Sequence, residues 1–309
     1  MQTTKQESVK ELILNITSKL IPIYHNTDHA KTIAWSILQF VTSYTKAQLV
    51  VNSQINMSES QQKKIEEIIY IHVEKHKPIQ YIFKHVPFLD LAITLKPGTL
   101  IPRLETEQWC HDLIEALKKA NLNQKQESSL TILDLCTGTG CIGLSLAKNF
   151  PRSTVYALDI SNDAYNLTKA NAHSNDVKNI IILKSDLYKK LPNTIRFDLI
   201  VSNPPYISFK KWKNLDPMVK NWENANALTS KKSGTYLIKK IIKEAPQWLT
   251  YNPELKKANI PQLIIEMDDN QGKKISKLLQ HYGFGSIIVK KDMAERDRVI
   301  EASLTRRSR

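Results

Sequence analysis

From Thr131 to Ala302 the chain alternates short apolar runs with stretches of helical periodicity, which leaves few architectures open. The runs are Thr131–Leu135, Thr154–Leu158, Asn179–Leu183, Phe197–Ser202, Gln262–Glu266, Gly285–Val289 and Arg298–Ala302. Several are apolar throughout, as strands covered on both faces should be. Helical stretches separate most of them. The expected fold is α/β, a doubly wound, Rossmann-like sheet. The last two runs are joined by a short loop rather than a helix, which predicts one antiparallel strand at an edge.

Residues 1–83 read as helices, with apolar positions at helical spacing in Leu12, Ile16, Leu20 and in Ile65, Ile68, Ile69, Ile71. Ser58 followed by Gln61 has the form of a capping box. Phe88–Leu95 is strand-like, Lys96-Pro97-Gly98 is a turn and Thr99–Pro102 is a second extended run, which predicts a β-hairpin over 84–105. A helix from Glu105 to Ala120 and a polar loop over 121–129 are expected next.

A chain of 309 residues with 41% hydrophobic content can bury two cores. No apolar run approaches the ~18–20 residues of a membrane span, so none is expected. Cys110, Cys136 and Cys141 are odd in number and lack a Cys-x-x-Cys spacing, which argues against disulfides and a metal site and fits a reducing compartment. The net charge of +14 suits contact with nucleic acid or a ribonucleoprotein, or a lysine-rich surface that is merely solvated. Met1 to Lys10 has no apolar core, so no secretory signal is expected. Glu7 and Glu11 sit where mitochondrial presequences avoid acids, yet Val9–Ile21 has the pattern of an amphipathic helix, so import stays open.

After the run ending Asp134-Leu135 comes Cys136-Thr137-Gly138-Thr139-Gly140-Cys141-Ile142-Gly143. Such glycines let a backbone turn tightly against a ligand at a helix N-terminus. Asp159 ends the next run, where a carboxylate can accept from both ribose hydroxyls of an adenosine. Gly138, Gly140 and Gly143 also satisfy the dinucleotide fingerprint, so a nicotinamide or flavin must be weighed. Asp134 discriminates, because an acid beside the loop repels a pyrophosphate but favours the sulfonium and ammonium of S-adenosylmethionine. Asp186, after the third run, sits where it can accept from the adenine amino group. The loop reads as a site for S-adenosylmethionine. Packing alone is the lesser reading for its glycines, and Cys136 and Cys141 read as small packing residues.

The fourth run is followed at once by Asn203-Pro204-Pro205-Tyr206, at the end of a strand where open α/β sheets bind ligands. A planar amide or amine nitrogen needs its N–H bonds held and its lone pair aimed. The Asn203 oxygen and the Pro204 carbonyl can accept those N–H groups, and two prolines hold the backbone fixed. Tyr206 offers an aromatic face to the planar group. Ile207–Lys213 interleaves basic and aromatic residues beside this segment, suited to phosphates, to an extended polypeptide or simply to solvent.

These motifs together resemble the HemK-like protein-(glutamine-N5) methyltransferases of class I peptide-chain release factors. The resemblance covers the chain from about residue 78. It rests on Pro78–Ile82, on Leu100–Glu107, on the loop from Asp134 to Gly140, and on Asp159, Ser185-Asp186 and Asn203–Tyr206. It extends to Lys291–Val299. The helical N-terminal part matches only in type. The resemblance implies a helical substrate-recognition domain over 1–83, a hairpin linker over 84–105 and a methyltransferase catalytic domain over 106–309. It implies S-adenosylmethionine bound by Cys136, Thr137, Gly138, Thr139, Gly140, Asp159 and Leu187, beside Asp134, Asp186 and Asn203. It implies catalysis by Asn203, Pro204, Pro205 and Tyr206 on the glutamine of a release factor's Gly-Gly-Gln motif. The partner is then a release factor, with transient ribosome or RNA contact, no membrane and a monomer. Leu104, Leu187, Met267 and Asp268 depart from the family's pattern, and the expected glycines near Ser230–Gly234 are thinned. With the basic charge, these departures favour a mitochondrial, fungal-type member over a bacterial one, with a cytoplasmic location as the alternative. The alternatives are an adenine-N6 or guanine-N2 nucleic-acid methyltransferase, which lacks a base-recognition insert here, and a non-catalytic ribosome-associated protein, against which Asn203 and the acids argue.

Overall fold

A computed structural model describes residues 4–120, 129–231 and 233–305. The polar loop expected over 121–129 lies almost entirely outside them. The chain forms two compact units, one running to Lys84 and including Pro217–Trp222, the other built from His85–Asp216 and Glu223 onward.

The first unit is mainly helical, with helices Val9–Tyr24, Thr27–Thr42, Lys46–Val51, Glu59–Glu74 and Ile79–Phe83. Leu12, Ile13, Ile16, Leu20, Ile65, Ile68 and Ile69 form part of its core. The capping box is present: Ser58 Oγ accepts from the Gln61 amide at 3.2 Å, and Gln61 Oε1 accepts from the Ser58 amide at 3.0 Å. Two strands were not expected here. β1 (Thr4–Ser8) and β2 (Gln54–Ser58) pair antiparallel, Thr4 opposite Ser58. Both are short, β1 is polar throughout and β2 buries only Ile55 and Met57, and each ends in the serine that caps the next helix, so their local signal is helical.

The second unit opens on a hairpin of β3 (His85–Phe88) and β4 (Leu91–Thr94). The turn falls inside the run read as one strand, at Leu89, whose φ is +50°. Thr99–Pro102, expected as the second strand of the hairpin, is not a strand. A helix then covers Leu104–Lys119. The main sheet holds β5 (Thr131–Leu135), β6 (Thr154–Asp159), β7 (Ile180–Lys184), β8 (Leu199–Ser202), β9 (Leu263–Glu266), β10 (Phe284–Lys291) and β11 (Asp297–Leu304). Phe197, expected at the start of the fourth strand, instead exchanges backbone bonds with Trp248 and Thr250.

The sheet order is β10-β11-β9-β8-β5-β6-β7. β5 to β9 are parallel, and β11 runs antiparallel to both its neighbours. The antiparallel strand is therefore one place in from the edge, not at it. The helix Gly272–His281 carries the chain across to β10 as the outer strand, and the short return fills the gap with β11. Chain order runs outward from β5 to β6 and β7, then restarts on its other side at β8. That reversal opens a crevice at the carboxyl ends of β5 and β8. Among the described residues no helix is long and apolar enough to cross a membrane.

Candidate active site

The crevice holds a cavity of about 300 Å³, the size of small-molecule sites. One side is lined by Cys136, Thr137, Gly138, Thr139, Asp159, Asp186 and Leu187, and Asn203 and Pro205 enter from the end of β8. Pro97–Leu100, Pro102, Thr106 and Asn224, Asn226 and Ala227 line the rest. Among the expected site residues, Asp134, Gly140, Pro204 and Tyr206 are not in the lining.

The three loop glycines serve different ends. Gly138 has φ +58°, and a Cβ there would project into open space, with nothing nearer than the Cys136 carbonyl at 4.0 Å. The backbone there leaves space in which a ligand could lie against it. Gly140 has φ +84°, and a Cβ there would meet Thr168 Cγ2 at 2.7 Å. Gly143 lies in the following helix, where a Cβ would come 2.9 Å from Asp134 Oδ2. Cys136 and Leu187 also have positive φ, +60° and +49°, strain typical of backbone held for a ligand. Burial pushes the Cys136 thiol far up and that of Cys141 to about 12, so neither is held as a thiolate nucleophile.

Asp159 Oδ2 accepts from the Gly138 amide at 3.0 Å and Oδ1 from the Ser161 amide at 2.9 Å. Burial, its largest influence, raises this carboxyl above the ordinary range. An adenosine ribose fits such a carboxylate, which lines the cavity with its outer lone pairs. Lys189 occupies Asp186 Oδ2, so that acid is shared between a surface ion pair and the cavity wall.

Asp134 is wholly buried behind the loop and ties it together. Its Oδ2 accepts from Thr137 Oγ1 at 2.6 Å and the Gly143 amide at 3.0 Å, and its Oδ1 has no partner. It does not touch the cavity, so its expected role beside the ammonium group becomes one of shaping the loop. Burial raises its carboxyl to about 7, against the two hydrogen bonds. The folded protein then keeps a proton that the unfolded chain has released above about pH 4. Stability should therefore fall as pH rises from about 4 to 7, with Asp159 adding in the same direction. Asp134→Asn should flatten that fall. Melting temperatures of both proteins across this window are the check, and equal slopes would assign the effect elsewhere.

Asn203 Nδ2 donates to Thr106 Oγ1 at 3.1 Å. Thr106 Oγ1 donates to Glu266 Oε2 at 2.7 Å, and Trp109 Nε1 donates to the same oxygen at 3.0 Å. Tyr206 is seated through its hydroxyl on Glu266 Oε1 at 3.0 Å, so its ring is tied back from the cavity rather than laid across it. Gln271 Nε2 donates to the Tyr206 carbonyl at 2.9 Å. Gly234 packs against that carbonyl so closely that any Cβ would collide with it. The glycine retained from the thinned stretch is thus the one a side chain cannot replace. Thr106, Trp109, Glu266, Gln271 and Gly234 escape a local reading of the sequence. Thr106 lies within one resemblance segment, but nothing local says that it meets Glu266. Lys211 in the basic-aromatic loop pairs with Asp268 at 2.6 Å, so the departure at 268 has a partner beside it.

This sheet order, glycine loop and Asn-Pro-Pro-Tyr segment are those of a class I S-adenosylmethionine-dependent methyltransferase. The methyltransferase small domain family matches residues 113–231, and the PrmC N-terminal domain family matches 13–83. The release factor glutamine methyltransferase of Fusobacterium nucleatum is 34% identical over 269 residues, 86% of this chain and 71% of that protein. That of Flavobacterium psychrophilum is 34% identical over 86% of this chain and 89% of that protein. The bifunctional methyltransferase of Rickettsia typhi is 31% identical over 96% of this chain and 58% of its own length. The chain belongs to the release factor glutamine methyltransferase family.

Proposed function

We propose that this chain transfers a methyl group from S-adenosylmethionine to the side-chain amide nitrogen (N5) of the glutamine in the Gly-Gly-Gln motif of a class I peptide-chain release factor. One observation carries the reading: Asn203 and Pro205 share a single cavity with the glycine cradle and Asp159. A nucleoside-bearing methyl donor and a planar amide would meet there. The cofactor, when bound, supplies an electrophilic methyl group on a sulfonium. Asp159 would accept from its ribose hydroxyls, and the backbone at Gly138 would give it room. Asn203 Oδ1, at the cavity wall, would accept one N–H of the glutamine amide. The Pro204 carbonyl, which lies behind the lining, would accept the other only from a substrate seated against the Asn203–Pro205 backbone, so that the lone pair turns toward the methyl group. As the nitrogen becomes positive, these fixed dipoles stabilise it. The cationic product loses its proton readily, so no strong base is needed.

Incubation with methyl-labelled cofactor and a release factor carrying Gln or Ala in that motif tests the reading. Label is expected on the Gln protein only, and equal labelling of both would sink it.

The proposal extends to a monomeric, mitochondrial, fungal-type member. The support is the net charge of +14 and departures such as Leu104 and Leu187. Mass spectrometry of the organelle's release factor, with and without this gene, is the test. Unchanged methylation would point to the cytoplasm. Transient contact with ribosome or RNA is proposed through the basic surface, where Lys210 and Lys213 flank the stacked Phe209 and Trp212. Such binding should weaken steeply as salt rises.

A further inference from the structure

Asn203 can do its proposed work only if its amide is the right way round. The oxygen must face the cavity, where it accepts an N–H. With the amide reversed, its NH2 would confront the substrate's own donors. Nothing in a side-chain amide fixes that choice, since its two ends have almost the same shape.

The wall behind Asn203 fixes it. Trp109 Nε1 can only donate, and it lies 3.0 Å from Glu266 Oε2; with Glu266 ionised, or with its proton on Oε1, that oxygen accepts from Thr106 as well. Thr106 Oγ1 lies 2.7 Å from the same oxygen and spends its single proton there. What remains on Thr106 is an acceptor, and it faces the Asn203 amide at 3.1 Å. Only the NH2 end satisfies it. Reversal would set two lone-pair oxygens against each other in a partly buried place. Thr106, Trp109 and Glu266 are buried, and Asn203 lies at the cavity wall in front of them.

We propose that Thr106, polarised by Glu266, is a positioning residue that locks the Asn203 amide with its oxygen toward the substrate. This rests on the methyltransferase reading above and deepens it. Glu266 reaches both ends of the Asn-Pro-Pro-Tyr segment, Asn203 through Thr106 and Tyr206 directly. One buried carboxylate thereby sets the orientation of the whole segment.

Thr106→Val removes the hydroxyl and keeps the shape, and Thr106→Ser keeps the hydroxyl. For Thr106→Val, kcat for glutamine methylation should fall about 10²-fold, the scale of a misplaced reacting group. Cofactor Kd from calorimetry should stay within about twofold. Thr106→Ser should restore kcat to within about threefold of the parent. A merely structural role would move Kd and melting temperature along with kcat. Wild-type kcat in Thr106→Val, or equal loss in Thr106→Ser, overturns the proposal. If Thr106→Val does not fold, the side-chain amide protons of Asn203 in 15N-labelled parent protein decide. One slowly exchanging, shifted proton supports the lock, and two protons exchanging like those of a free amide overturn it. The same signals separate the two readings. A parent enzyme that leaves the release-factor glutamine unlabelled fails the proposed function, while the amide protons still report on the lock.

Discussion

Asn203→Ala should lower kcat by about 10²–10³-fold, the usual consequence of deleting one preorganised polar group from a site that develops charge. Cofactor affinity should remain within about threefold, because the alanine keeps the strand end and both prolines. The reason for the split is geometric. Asn203 lines the cavity from the end of β8, while the glycine loop, Asp159 and Leu187 line it from β5, β6 and the segment after β7. The variant also leaves Thr106 Oγ1 without its donor, since the Asn203 amide supplies that bond in the native site. Stopped-assay turnover with the release factor, beside calorimetry with the cofactor alone, reads both quantities. Collapse of cofactor binding with intact folding would show that Asn203 serves the donor and not the acceptor. Equal turnover would remove Asn203 from the chemistry altogether.

Much of this site is written in short stretches of sequence. The apolar runs mark β5, β8 and β9 because those strands are covered on both faces and need no polar alternation. The loop glycines and the Asn-Pro-Pro-Tyr segment are legible for a similar reason: each is a local backbone requirement. What escapes is what depends on residues far apart or on burial. Thr106 and Glu266 are 160 positions apart, and neither neighbourhood predicts the other. Asp134 reads as an acid beside a ligand, yet the fold buries it behind the loop, where it bonds Thr137 and Gly143. β1 is invisible because five polar residues ending in a helix cap carry no period-two pattern, and β2 because its alternation, with only Ile55 and Met57 buried, is too short to stand out beside two helices. β11 is misplaced by one position because the sequence shows a strand pair but not which neighbour the pair will join.

The glycine cradle gives the second large effect, and two alanine substitutions separate ligand space from packing. At Gly138 the backbone is left-handed at φ +58°, which costs a non-glycine residue about 1–2 kcal/mol. The added methyl meets nothing closer than 4.0 Å, so it points into the cavity without disturbing the fold. Gly138→Ala should lower the melting temperature by roughly 2–8 °C, from the size of the unit and that cost. Cofactor affinity should drop by more than about tenfold, because the methyl occupies the space the backbone leaves open. Gly140→Ala carries the same conformational cost at φ +84°, and its methyl would also press on Thr168 Cγ2 at 2.7 Å and Leu144 Cδ1 at 3.0 Å. Thr168 in turn donates to the Gly138 carbonyl at 3.1 Å, so pushing it away loosens the loop itself. Overpacking adds about 1–3 kcal/mol, and the melting temperature should fall well below that of Gly138→Ala. Scanning calorimetry with and without cofactor distinguishes the pair. Gly138→Ala should melt only those few degrees below the parent without cofactor, well above Gly140→Ala, and lose most of the shift the cofactor gives. If it instead keeps the full shift, the donor does not lie against Gly138, and the ligand space of this loop must be sought on the other side of Asp159.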